Sequence, residues 1–125
     1  MIQIDYQDKR PIYEQVIEKI QNLIIIGVLT ENDKMPSVRS LAIDLSINPN
    51  TIQKAYQELE RLGFIYTVKG RGGFVASQSS WKKDISDENL NNLKDVLIEL
   101  DKLGVSKSKV HDMVDKYMKG NVEND

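Results

Sequence analysis

Residues 48–63, with the sequence NPNTIQKAYQELERLG, mark both ends of one amphipathic helix. Asn48 is suited to cap this helix and Pro49 to occupy its first position, because the N–H that proline lacks would be unpaired there. Gly63 predicts the end of the helix. Four apolar residues at 3-4-3 spacing predict a buried face: Ile52, Ala55, Leu59 and Leu62. That face directs four polar residues away from the core: Asn50, Gln53, Lys54 and Gln57.

Two further helices are predicted before it. Pro11 suits the first turn of a helix over residues 11–26, and Gly27 suits its end. Its apolar residues recur at helical spacing: Ile12, Val16, Ile20, Leu23 and Ile24. After the polar turn VLTENDKMP, Ser37 can cap a short amphipathic helix over VRSLAIDL. The sequence therefore predicts three helices in succession.

A glycine-rich β-hairpin is predicted next. The segment FIYTVKGRGGFVAS contains two β-rich runs around KGRGG, whose glycines permit positive φ angles and close approach of the backbone. A nucleotide-binding loop would need a helix after its glycines, whereas both flanks here have the pattern of strands, so we exclude nucleotide binding by this loop. Three helices followed by a hairpin predict an α+β fold, with a winged helix-turn-helix domain at residues 1–77.

The rest of the chain is predicted to form a helical tail. Residues 78–85 are predicted to be a linker, residues 86–119 two amphipathic helices separated by Gly104, and residues 120–125 a frayed end. The first helix has the apolar stripe Leu90, Leu93, Val96, Leu97, Leu100 and Leu103, and the second has Val110, Met113, Val114 and Tyr117. Two helices cannot bury two such stripes well by themselves, so we expect a partner surface.

The charge of the chain is unevenly distributed. The formal net charge is −2, which by itself argues against a nucleic-acid partner. However, residues 34–73 contain six basic and three acidic side chains, a net charge of +3, whereas residues 78–125 contain eight lysines and ten acidic residues, a net charge of −2. The positive charge is therefore local, as it would be on a binding face.

The composition excludes several classes of function. With 40% hydrophobic and 29% charged residues the chain has the composition of a soluble globular protein, and no apolar run approaches the roughly 18 residues that span a bilayer. The charged N-terminus does not fit a signal peptide, and the absence of cysteine excludes disulfides and thiolate ligands, so we expect a cytoplasmic protein. His111 is the only histidine, and no nucleophile is paired with a base. We expect neither an enzyme nor a metal or other cofactor.

Four segments resemble the DNA-binding domain of the GntR family of bacterial transcription regulators. They are PIYEQV, MPSVRSLA, NPNTIQKAYQELERLGFI and GRGGFVA, in the order and at the spacing usual in that family, and they span residues 11–76. The short helical tail is similar to that of the YtrA-like subfamily, whose tails serve mainly for dimerisation. Two positions depart from the family pattern: Met35 replaces the usual leucine, and Glu31 with Asn32 replaces a common Pro-Gly pair.

The resemblance implies a sequence-specific transcription regulator, most simply a repressor, that binds an inverted-repeat operator in double-stranded DNA as a homodimer. It also implies control of a nearby transporter operon and dimerisation through the two apolar stripes of the tail. The lack of a long apolar run predicts no membrane partner, and no small-molecule effector is identified. The third helix would enter the major groove by its N-terminal end, where asparagine can pair bidentately with adenine, while the wing would contact flanking backbone. The implied DNA-contacting residues are Ser37, Arg39, Asn48, Asn50, Thr51, Gln53 and Lys54 in the helices, and Lys69, Gly70, Arg71 and Gly72 in the wing.

Each of these residues also has an ordinary structural interpretation. The polar residues of the third helix could be a solvated face, Arg39 could pair with Asp44, and the GRGG segment could be only a flexible turn. A second function class also stays open, that of a winged-helix module that contacts proteins and binds no operator. Such a module would not need a polar, cationic first turn beside a basic wing, and a gel shift with random-sequence duplexes distinguishes the two classes.

Overall fold

The computed structural model describes residues 2–120. Within these residues the elements follow in the order α1 (Ile12–Ile25), α2 (Val38–Leu45), α3 (Pro49–Arg61), β1 (Ile65–Val68), β2 (Gly72–Val75), α4 (Lys82–Lys102) and α5 (Lys107–Tyr117), with a 3₁₀ turn at Gln78–Ser80. Three helices, a hairpin and a two-helix tail confirm the predicted α+β fold and its winged helix-turn-helix domain. The described residues form two compact units that divide after Lys83.

The core of the first unit lies between α1 and α3. Val16 and Ile20 of α1 are fully buried, as are Ile52, Ala55 and Leu59 of α3. Burial of each large apolar side chain of this kind contributes about 1.5–3 kcal/mol. Leu41 and Ala42 of α2, and Phe64 and Val75 of the hairpin, close the same core. Because the apolar stripe of α3 is held in this core, its opposite face must point outward.

One polar side chain inside this core was not predicted. Gln15 of α1 is 1% exposed, and its amide exchanges two hydrogen bonds with the backbone of Asp5. The Asp5 N–H donates to Gln15 Oε1 at 2.9 Å, and Gln15 Nε2 donates to the Asp5 carbonyl oxygen at 3.0 Å. A buried amide is tolerated when its donors and acceptor are paired in this way. Gln15 therefore holds the N-terminal segment against α1.

The hairpin is reinforced along its second edge. β1 and β2 are antiparallel, with Ile65 opposite Val75 and Val68 opposite Gly72. The other edge of β2 pairs with residues 32–35, which we call the strap. In the strap the Met35 N–H donates to the Gly73 carbonyl oxygen at 2.9 Å, and the Asn32 N–H donates to that of Val75 at 2.8 Å. These bonds connect the wing directly to the segment that leads into α2.

The segment predicted to be a linker, residues 78–85, contains regular secondary structure. Residues 78–80 form the 3₁₀ turn, and α4 begins at Lys82 rather than near Ser86. The reason is Trp81, which is 5% exposed and stacks on Phe64 with ring centroids 4.9 Å apart. A large buried aromatic ring fixes a segment whose polar neighbours suggest a flexible connection.

Gly63 makes room for this turn. Its φ of +88° lies in the left-handed region, and a Cβ added there would lie 2.3 Å from the carbonyl oxygen of Ser80. Only glycine permits both the backbone conformation and this close approach. The glycine that ends α3 therefore also seats the chain that leads to Trp81.

The second unit contains α5 and most of α4. Gly104 separates the two helices with a φ of +79°, as predicted, and Ser106 caps α5 by accepting a hydrogen bond from the Lys109 N–H at 3.1 Å. Neither helix contains a buried residue. Leu100 and Val110 are half-buried, and the other eight residues of the two predicted stripes are exposed. Of residues 120–125, which were predicted to be frayed, only Gly120 lies within the described residues.

Candidate nucleic-acid interface

The N-terminal end of α3 is capped as predicted. Asn48 Oδ1 accepts a hydrogen bond from the Asn50 N–H at 2.8 Å, and Pro49 occupies the first helical position. The side chain of Asn50 is exposed, and Thr51 is half-buried. Bidentate pairing with a base needs both the oxygen and the nitrogen of an amide, and in Asn48 the oxygen is engaged in the cap. Asn50 is therefore the amide of this turn that is free to read a base edge.

The outer face of α3 has two distinct edges. Asn50, Lys54, Gln57 and Arg61 are spaced i, i+4, i+7 and i+11, so they form one row opposite the buried stripe. Lys54 and Glu58 lie on the edge next to α1, because they line an open groove of about 230 Å³ together with Tyr13 of α1. Gln53 lies on the opposite edge, next to the wing.

The wing-side edge forms a second groove. It has a volume of about 260 Å³ and is lined by residues of α3, of the wing and of the start of α2. Three predicted site residues from these three elements meet in it: Ser37, Gln53 and Gly72. Ser37 also caps α2, because its Oγ accepts a hydrogen bond from the Ser40 N–H at 3.0 Å. This capping role of Ser37 confirms the local prediction from the sequence.

Tyr56 fixes the start of α2 against α3. Its hydroxyl donates a hydrogen bond to the Pro36 carbonyl oxygen at 2.8 Å, and its ring is buried. Burial raises the pKa of Tyr56 well above its ordinary value, so the hydroxyl keeps its proton as a donor. This role of Tyr56 was not predicted from the sequence. The available signal in the sequence was its position directly after Ala55 of the predicted buried stripe, which places Tyr56 next to the core.

The wing presents two basic side chains at its tip. Lys69, Gly70 and Arg71 connect β1 to β2, and the Arg71 N–H donates to the Val68 carbonyl oxygen at 2.9 Å. Gly70 and Gly72 have φ angles of +80° and +97°, which makes this tight turn possible. Lys69 and Arg71 are exposed.

The base of the wing is held by side chains as well as by its backbone. The Thr67 hydroxyl donates to Glu60 of α3 at 2.6 Å, and the Tyr66 hydroxyl donates to Asn32 Oδ1 of the strap at 2.8 Å. Asn32 has a φ of +69°, a conformation that asparagine adopts more readily than most residues. These contacts tie the wing to α3 on one side and to the strap on the other. The distance between the wing tip and the front of α3 is thereby constrained.

Most of the exposed basic residues of this surface lie outside the ion pairs that the structure describes. Arg61 pairs with Glu58, whereas Arg39, Lys54, Lys69 and Arg71 take part in none of the ion pairs described. In particular, within residues 2–120 Arg39 forms no ion pair with Asp44, so that structural alternative finds no support. Cations without a carboxylate partner can neutralise phosphates of a nucleic acid.

Other kinds of site find no support in the described residues. Residues 2–120 contain no cluster of three or more histidine and acidic side chains that could hold a metal ion. His111 is exposed and lines a cavity of about 290 Å³ between α4 and α5. No helix in the described part of the chain is both long and apolar enough to cross a membrane.

Comparisons with known proteins agree with this geometry. Residues 12–75 match the family model described as bacterial regulatory proteins, gntR family. The HTH-type transcriptional repressor YtrA of Bacillus subtilis (strain 168) is 38% identical over all of this chain and all of its own length. A solved structure from Listeria monocytogenes EGD-e, described as a transcriptional antiterminator, is 39% identical, covers 100% of this chain and 98% of its own, and superposes with a TM-score of 0.74.

One further solved structure contains DNA. It is that of AraR(DBD) in complex with operator ORE1, with 33% identity and a TM-score of 0.53, and it covers 58% of this chain and 89% of its own. A chain with this fold is thus found on an operator.

Proposed function

Because this chain belongs to the gntR family of bacterial regulatory proteins and carries its DNA-binding domain, we propose that it is a repressor that binds an inverted-repeat operator as a homodimer. One observation carries the proposal. Within residues 2–120, the first turn of α3 exposes the side chain of Asn50, and the wing tip exposes two cations that take part in none of the described ion pairs. Base-reading groups and phosphate-binding groups therefore occur on the same unit.

The chemistry and position of each group indicate whether it contacts bases or phosphates. Asn50 and Thr51 lie at the leading end of α3, where side chains of a recognition helix reach base edges in the major groove. Gln53 flanks them on the wing side. Lys69 and Arg71 lie on glycine-rich backbone that can approach DNA closely, which suits phosphates or a narrow minor groove. Arg39 and Ser37 at the start of α2 would contact the backbone between these two regions.

The proposed homodimer rests on the second unit. Eight apolar side chains of the two predicted stripes are exposed, among them Leu90, Leu93, Leu103, Met113 and Tyr117. Contiguous apolar surface of this kind usually marks an interface. A second copy of the chain would cover it through a two-fold axis, because the same patch then serves on both sides. Two linked half-sites would also raise the apparent affinity for an inverted repeat.

Selection of bound duplexes from a random pool tests the operator. We expect the bound pool to converge on an inverted repeat that the protein binds about 10³-fold or more tightly than scrambled duplex. A pool that stays random while binding DNA would contradict sequence recognition. Mapping the selected repeat onto the genome of the source organism would identify the regulated genes, for which the family resemblance suggests a transporter operon.

Transcription in vitro tests the proposed mode of regulation. A repressor that occludes a promoter should lower transcript yield from a template that contains the selected repeat, and a template with a scrambled repeat is the matched control. An increased transcript yield from the operator template would mean that the protein is an activator rather than a repressor. As DNA is the proposed partner, we place the protein in the cytoplasm.

A further inference from the structure

Lys54 is held by an aromatic ring at the α1 edge of α3. Its Nζ lies 4.0 Å from the centroid of the Tyr13 ring, within the range of a cation–π contact. Tyr13 is in the first turn of α1 and is half-buried, whereas Lys54 is exposed. The ring therefore supports one side of the ammonium group while its other side remains open to the groove.

The neighbouring charges leave Lys54 without a competing partner. Glu58, four residues after Lys54 on α3, could form an ion pair with it, but Glu58 Oε1 accepts a hydrogen bond from Arg61 Nε instead. Gln57, the remaining residue that lines this groove, is uncharged. No carboxylate within residues 2–120 is described as paired with Lys54. Its charge is therefore available to an anion.

The position of Lys54 on α3 indicates which anion it meets. Lys54 lies one turn beyond Asn50, on the edge of α3 that faces α1. When a recognition helix lies in the major groove, the backbone runs along both sides of the groove, so a side chain at the edge of the helix is placed to meet phosphate. An ammonium group is a compact charge with three donors and no acceptor, which suits a phosphate better than a base edge. A long flexible side chain also loses less entropy on binding when it is already held in place.

We propose that Tyr13 is a positioning residue that presents the Lys54 ammonium to a DNA phosphate at the edge between α1 and α3. The inference rests on the proposed function and deepens it. It changes the role of Lys54 from a general DNA contact to a backbone anchor, and it adds a residue of α1 to an interface that the sequence limits to α2, α3 and the wing. Tyr13 itself acts only through Lys54.

A double-mutant cycle on the full chain tests this proposal. Affinity for the selected operator and for scrambled duplex is measured over a range of salt concentrations for four variants: Lys54→Ala, Tyr13→Leu, Tyr13→Phe and the double variant Tyr13→Leu with Lys54→Ala. Lys54→Ala should flatten the slope of log K against log salt by about 0.9 and weaken both duplexes alike. Tyr13→Leu should weaken both about two- to five-fold, because a lysine side chain that the ring no longer holds must be ordered when it binds.

Two of the variants separate positioning from packing. Tyr13→Phe keeps the ring and should bind like the wild type, and Tyr13→Leu should have no further effect once Lys54 is alanine. If Tyr13→Leu lowered the affinity for DNA by the same factor in the wild type and in Lys54→Ala, the proposal would be overturned, because Tyr13 would then act independently of Lys54. An unchanged salt slope in Lys54→Ala would also overturn it. Failure of the wild type to bind any duplex would instead refute the proposed function.

Proton NMR of the free protein provides a readout that does not depend on DNA. The ring current of Tyr13 should shift the side-chain methylene protons of Lys54 upfield from those of other lysines. Tyr13→Phe should keep this shift, and Tyr13→Leu should abolish it while the thermal melt stays cooperative. A Lys54 spectrum that is the same in wild type and Tyr13→Leu would overturn the positioning role.

Discussion

The Asn50 N–H donates a hydrogen bond to Asn48 Oδ1 at 2.8 Å, which gives two neighbouring asparagines different roles. Asn48 uses its side-chain oxygen to accept a hydrogen bond from a backbone N–H in the first turn of α3. Asn50 uses its backbone N–H in the same bond and keeps its side chain free and exposed. We therefore expect stability to depend on Asn48 and base recognition to depend on Asn50.

Asn48→Ala should lower the free energy of unfolding by about 1 kcal/mol, because an unpaired N–H is left at the start of α3. Asn50→Ala should leave the free energy of unfolding nearly unchanged. Urea unfolding followed by circular dichroism measures both variants. Equal stability of Asn48→Ala and wild type would show that water replaces the cap.

Arg71→Ala should weaken binding to every duplex alike and flatten the slope of log K against log salt by about 0.9, because one phosphate contact is lost. Lys102→Ala, in the last turn of α4, is the matched control and should leave the slope unchanged. Anisotropy titrations at several salt concentrations give the slopes. If Arg71→Ala changed the preferred sequence instead, the wing would read bases.

Leu93→Asp should convert the protein to a monomer, because a carboxylate on the proposed interface would be buried without a partner. Ile98→Asp is the control: the two side chains are 49% and 48% exposed, but Ile98 lies outside the predicted stripe. Light scattering of the full-length variants distinguishes monomer from dimer. A dimeric Leu93→Asp, or a monomeric Ile98→Asp, would move the interface to another face of α4.

Gly63→Ala should destabilise the first unit by about 2–5 kcal/mol, because the added Cβ meets the Ser80 carbonyl oxygen in addition to the left-handed φ. Gly27 has nearly the same φ, +85°, but a Cβ added there would have nothing within 4 Å. Gly27→Ala should therefore destabilise the protein by only about 1–2 kcal/mol. The difference between the two unfolding free energies isolates the contact with Ser80. Equal losses would mean that the 3₁₀ turn moves away easily.

The features that were predictable from sequence depend on local chemistry. α3 was located with both of its ends because its signals are local in the sequence: the cap at Asn48, the proline after it and the spacing of the buried residues. The same holds for the cap of α2 and for the glycine-rich turn of the hairpin. Helical periodicity and capping act over a few residues, which is why a single sequence reveals them.

The features that were missed depend on contacts between distant segments. Trp81 appeared within a polar stretch, and only its stacking on Phe64 shows that the stretch is anchored. Gln15 reads as a polar helix residue until its bonds to Asp5 are known. The Tyr13–Lys54 contact joins residues of two helices. Tertiary packing of this kind leaves no periodic signal in the sequence.

The specificity ratio of Asn50→Ala tests the central claim most directly. The ratio is the affinity for the selected operator divided by that for scrambled duplex at one fixed salt concentration. We predict that Asn50→Ala lowers operator binding by about 1–3 kcal/mol and leaves scrambled binding nearly intact, because the phosphate contacts remain. An equal loss on both duplexes would contradict base reading by the front of α3 and make Asn50 a backbone anchor.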